Sequence, residues 1–146
     1  MRSRPYGRRE RGAAAVEMAL ILPVLLLVLG GIVDLGRAMY GQIIVSNAAR
    51  EGARMASMTS YTNAQVQTRA QSATGGLVPL AGSAVDVTIP SPRCVADPLD
   101  PSVKITTVAV TARNFQWMML NVVPRLVGGN IPAPAITAKA SMRCVG

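Results

Sequence analysis

The chain has 146 residues and a formal net charge of +8, room for one anchor and one small domain. Half of it is hydrophobic but only 3% is aromatic, so the apolar mass is mainly Ala, Val, Leu, Ile and Met, which suits a long helix better than a compact core. The lack of His excludes a Ser–His or Cys–His mechanism within the chain, and the two cysteines have no metal-ligand spacing.

The first twelve residues hold Arg2, Arg4, Arg8, Arg9 and Arg11 against Glu10, which gives this short stretch half of the net charge. Elsewhere the basic residues are scattered, without the stacking aromatics or recognition helix of a nucleic-acid interface. A basic stretch before an apolar run reads instead as a topology signal.

From Ala13 to Val33 the one charged residue is Glu17. A run of about 20 such residues crosses a hydrocarbon core of about 30 Å. Arginines crowd its N-terminal flank, while Asp34 and Arg37 close the other end. The positive-inside bias therefore predicts a single pass through the cytoplasmic membrane, with the N-terminus cytoplasmic and the rest exported. The competing reading is a cleaved secretory signal. Against it, Gly36-Arg37-Ala38 is a poor cleavage site, and the apolar residues expected after a twin-arginine pair do not follow Arg8-Arg9. Pro23 should loosen the helix near Ala19, and Gly30-Gly31 is a second soft point.

Beyond the span the helical pattern continues. Ile32, Leu35, Met39 and Ile43 recur at helical spacing, and Ala48, Ala49, Gly52, Ala53 and Ala56 form a small-residue face. That face serves either close packing against another helix or packing on the chain's own domain. Glu51 can pair with Arg54 three residues on. The helix weakens around Thr59–Asn63 and must end by Gly75-Gly76. From Ala13 to Ser57 it would reach about 68 Å, so it should project well out of the membrane.

The C-terminal part is strand-like. Val85–Ile89, Lys104–Ala112 and Ile136–Cys144 are candidate strands, from their Val, Ile and Thr content or their alternation. Ser91–Ser102 is a Pro-rich loop, Phe115–Val123 a candidate short helix, and Gly128–Pro134 a turn-rich connector. The predicted fold is α+β, a long N-terminal helix with a small C-terminal antiparallel β domain. Its parts are a basic leader (1–12), a transmembrane helix (13–33), an extracytoplasmic continuation of the helix (34–74) and the β-rich domain (75–146). Such a domain has a thin core, and Cys94 and Cys144 could staple it on the oxidising side of the membrane. Two free thiols are the alternative.

The informative segment is Arg11-Gly12-Ala13-Ala14-Ala15-Val16-Glu17-Met18. A Gly stands at the membrane edge behind a basic leader, and five residues later a carboxylate enters an apolar helix. A charge there is expensive and usually has a partner, unless it only sits at the interface and reaches water. This spacing resembles the prepilin signal, cut between Gly12 and Ala13 with Glu17 as the fifth mature residue. The segment RGAAAVEMALILPVLLLVLGGIVDLGRAMY, with NAAREGARMAS after it, resembles the TadE-like family of the tight-adherence pilus systems over about residues 11–56. Met18 departs from the aromatic common at the sixth mature position but keeps apolar bulk.

The resemblance implies a minor pilin or pilin-like assembly component. Its partners would be a prepilin peptidase acting after Gly12, other pilin-like subunits and the pilus machinery. Glu17 would neutralise the new amine of Ala13 in the same or a neighbouring subunit. No cofactor is implied. The rival is a membrane-anchored extracytoplasmic binding module whose helix is only a tether. An enzyme is disfavoured: Lys104, Lys139 and several hydroxyls are present, but no base–nucleophile arrangement can be read.

Overall fold

The computed structural model describes residues 7–75, 85–113, 115–126, 128–132 and 134–145. Arg2, Arg4 and Gly76 lie outside the described residues, as do the side chains of Arg8, Arg9 and Arg11. The fold is α+β, with one long apolar N-terminal helix and a small antiparallel sheet. The chain forms two compact units. One joins Met1–Leu35 to Met118–Ile131, and the other joins Gly36–Trp117 to Pro132–Gly146.

Helix α1, Gly7–Ala56, supplies residues to both units and stays helical through Pro23. It is long and apolar enough to cross a membrane. Residues 12–29 are all exposed, so the described chain does not cover this apolar surface. The helix ends at Ala56 rather than carrying on to residue 74. Ser57 closes it, donating its N–H to Ala53 O at 2.9 Å and its Oγ–H to Arg54 O at 2.8 Å in the last turn. A separate helix α2, Asn63–Ser72, follows. Its start is fixed by a capping box, in which Gln65 N–H donates to Thr62 Oγ1 and Thr62 N–H donates to Gln65 Oε1.

The sheet is built on β3, Lys104–Ala112. Strand β4, Ile136–Arg143, pairs antiparallel along one edge of it, from Ile105↔Arg143 to Ala112↔Ile136. Two short strands share the other edge. These are β1, Val85–Thr88, opposite residues 109–112, and β2, Val95–Ala96, opposite residues 104–105. Alternation sorts β3 into two faces. Thr106, Val108, Val110 and Ala112 are buried, while the hydroxyls of Thr107 and Thr111 meet Ser141 and Thr137 across the strand pair.

The core lies between that buried face, the end of α1 and α2. Val45, Ala48, Ala49, Ala53 and Ala56 face Val108 and Val110, with Val66 and Ala70 from α2. This decides the role of the small-residue face: it packs on its own sheet. At Gly52 a Cβ would sit 3.1 Å from Val108 Cγ1 and 3.2 Å from Ala70 Cβ, so the missing side chain lets three elements meet. A disulfide between Cys94 and Cys144, with Cα atoms 6.2 Å apart, ties the β2 loop to the end of β4. Val145 N–H then donates to Ser57 O, which brings the chain end back to the end of α1.

Candidate functional site

The residues singled out by the sequence lie on the first turns of α1. Gly12, Ala13 and Glu17 are exposed, and a Cβ at Gly12 would meet nothing within 4 Å. Ala13 and Glu17 are four residues apart, which places them on one face about 6 Å apart along the axis. A chain starting at Ala13 would therefore carry its amine one turn from the Glu17 carboxylate.

The opposite end of the apolar run holds a site that sequence reasoning missed. Asp34, fully buried, accepts three successive backbone N–H bonds. Met118 donates to Oδ1 at 3.1 Å, while Met119 and Leu120 donate to Oδ2, each at 2.9 Å. Charge-assisted bonds of this kind are stronger than neutral ones. They also account for a departure from expectation. A helix over Phe115–Val123 would use these amides internally; with Asp34 holding them, the short helix α3 forms at Val122–Leu126 instead. Gly30 and Gly31 lie beneath Met119 and Leu120, so the glycine pair is a packing seat rather than only a soft point. The available signal was an acid one turn beyond two glycines at the end of a span.

In the other unit Arg37 donates to Gln116 O at 3.4 Å and lies 5.6 Å from the centre of the Phe115 ring. Trp117 meets Phe115 edge-on and donates its indole N–H to Pro132 O. Glu51 pairs with Arg69 of α2 at 2.8 Å rather than with Arg54. The Arg69 hydrogen bond holds its carboxyl below the usual range, with Arg54 adding a weaker pull in the same direction. Among the described residues there is no group of three or more His, Cys, Asp or Glu that could hold a metal ion.

The family model described as TadE-like protein matches residues 12–54. Over those residues the chain is similar to the TadE-like family. The TadE-like segment starts at the Gly12 singled out above and contains Glu17, Gly30, Asp34 and Gly52. It thus spans the exposed apolar stretch of α1 and nearly all of the part that packs on the sheet. The TadE-like segment stops short of α2 and of every strand. No curated protein and no solved structure matches the chain.

Proposed function

We propose that this chain is a pilin-like membrane protein, a minor pilin or an assembly component of a tight-adherence type IV pilus. A prepilin peptidase cuts it after Gly12, and other pilin-like subunits and the pilus machinery are its partners. Its N-terminus is cytoplasmic, as the arginine cluster favours, and the β domain is extracytoplasmic. One observation carries the reading: the TadE-like match begins at Gly12, and Glu17 follows at the fifth position beyond it. Glu17 is exposed on an apolar helix, where a neighbouring subunit's amine is a suitable counter-charge.

The peptidase must open the helix around Gly12, and Gly is a weak helix former by about 1 kcal/mol relative to Ala. The rival, a tethered binding module, draws support from the Ala48–Ala56 stripe, which the chain's own sheet already uses. N-terminal sequencing of the membrane-fraction protein separates the two. The pilin reading requires a mature chain that starts at Ala13, and a Gly12→Leu variant that stays full length. A start near Met39 would establish secretory cleavage and overturn it.

A further inference from the structure

We propose that Met118–Ile131 is a second membrane element, a monotopic hairpin seated in the lipid leaflet at the Asp34 end of the spanning helix. It rests on the reading of α1 as membrane-spanning. The occupant of its outer surface is lipid acyl chain.

Three observations carry the proposal. First, the segment packs on the spanning part of α1. A Cβ at Gly30 would lie 2.5 Å from Met119 Cβ, and one at Gly31 would lie 3.5 Å from Leu120 Cδ2. Further along the helix an apolar hollow of about 310 Å³ is lined by Pro23, Leu26, Leu27, Met119 and Val122. Leu27 is seven residues from Asp34, about 10 Å along the axis. Val122 therefore stands within the thickness of the apolar run and not beyond its end. Interfacial elements bury their apolar faces to about 5–10 Å, so this depth is in keeping.

Second, the outer surface is largely apolar, with Arg125 and Asn130 its exposed polar residues among those described. Met118, Val122 and Leu126 are 60%, 47% and 81% exposed, and they continue the exposed Leu and Val surface of α1. Residues 118–131 contain one charged side chain, Arg125, whose long stem allows the guanidinium to reach headgroup phosphates from a submerged backbone.

Third, the segment satisfies much of its polar backbone internally. Irregular backbone is tolerated at membrane depth only where protein groups replace water. Here Asp34 takes the amides of residues 118–120. Val122, Arg125, Gly128 and Gly129 donate to carbonyls of the same segment. Ile131 N–H donates to Asn121 Oδ1, and the Asn121 amide donates to Asn130 Oδ1. Gly128, at φ 78°, makes the left-handed turn that closes the hairpin.

The test is site-directed spin labelling of the full chain in vesicles of phosphatidylcholine and phosphatidylglycerol. The native thiols are held in the disulfide, so single cysteines label selectively. Val122→Cys and Leu126→Cys probe the hairpin, Leu26→Cys the spanning helix, and Leu99→Cys, at 96% exposed, the aqueous domain. Collision with oxygen and with a water-soluble nickel chelate gives a depth for each label. The expected result is oxygen-dominated relaxation at positions 122 and 126, as at 26, and nickel-dominated relaxation at 99. Nickel access at 122 and 126 with position 26 embedded would overturn the hairpin and leave the spanning reading intact. Nickel access at 26 as well would overturn both. Exclusion of both reagents at 122 and 126 would show a protein neighbour in place of lipid, and would also overturn the proposal.

Discussion

Gly30 lies so close beneath Met119 that any side chain at position 30 would displace it: a Cβ there would fall 2.5 Å from Met119 Cβ and 2.9 Å from its Cγ. One turn further along, Asp34 holds the amides of the same segment. The glycine sets the approach and the carboxylate fixes the register.

Gly30→Ala should therefore lift Met119 and weaken the Asp34 bonds. Overpacking of this kind costs about 1–3 kcal/mol. Amide exchange at Met118–Leu120 should accelerate about tenfold for each 1.4 kcal/mol lost, read by mass spectrometry on the protein in micelles. Gly36→Ala is the control, because a Cβ there meets nothing within 4 Å. Unchanged exchange in Gly30→Ala would mean that the seat is not a determinant of the loop.

Gly52 is the corresponding contact in the β domain. Val108 Cγ1 and Ala70 Cβ stand 3.1 and 3.2 Å from the place a Cβ would take, and both neighbours are fully buried. Gly52→Val should cost about 1–3 kcal/mol and lower the melting midpoint of the domain. Trp117 is the one tryptophan, so its fluorescence reports that transition directly. A midpoint equal to that of the wild type would show that the sheet can retreat from α1.

The extent to which these contacts are legible in the sequence follows from how local they are. Strands β3 and β4 announce themselves, because alternating Val and Thr on β3 records one buried and one open face. The apolar span is legible for the same reason, as composition over a contiguous run. Strand β2 is two residues in a Pro-rich loop and exists only through its pairing with β3, so no local pattern marks it. The end of α1 at Ala56 was blurred because α2 follows within seven residues, although the Thr62–Gln65 capping box was there to be read. Asp34 was visible as an acid beside a span, but its partners lie at least 84 residues away, beyond any periodicity.

Cys94 and Cys144 are separated by 50 residues, and their bond closes the loop that contains β2, β3, α3 and β4. Loop-closure entropy gives such a bridge about 4 kcal/mol, less any native strain. In exported protein neither thiol should react with maleimide until a reductant is added. Cys94→Ser with Cys144→Ser should lower domain stability by up to that amount. Full labelling of both cysteines under native conditions would remove the staple from the account.

Acid should act on the domain through Glu51 and Asp100. Glu51 is held below the usual carboxylate range chiefly by the hydrogen bond from Arg69, and Asp100 by hydrogen bonds from the side chain and then the backbone of Ser102. Each binds its proton more readily in the unfolded chain. Their contribution is therefore complete above the ordinary carboxylate pKa and is lost as pH falls through the lower folded value. Both groups are exposed, so the effect is small. Glu51→Gln with Asp100→Asn should flatten the acid limb of a melting-temperature profile and leave the neutral limb parallel to wild type. An unaltered acid limb would assign the loss to other carboxylates.

Glu17 presents the sharpest separation of insertion from assembly. It is an exposed carboxylate on an apolar helix, four residues after Ala13. A tether would do better with Leu there, since removing a charge from lipid eases insertion by up to about 3 kcal/mol at the bilayer centre and by less near an edge. Glu17→Ala and Glu17→Gln should therefore reach wild-type membrane levels. On the proposed reading processing should largely persist, because recognition would depend on Gly12 and the leader. Docking should fail, because the Ala13 amine would be left in an apolar setting without its counter-charge. Gln keeps the shape and hydrogen bonding but not the charge, so failure of both variants assigns the effect to charge. Membrane level, processing and surface piliation, measured separately in the native host, decide the matter. Normal level and processing with lost piliation is the expected outcome. Wild-type piliation in both variants would reduce Glu17 to an interfacial residue and return the helix to the role of a tether.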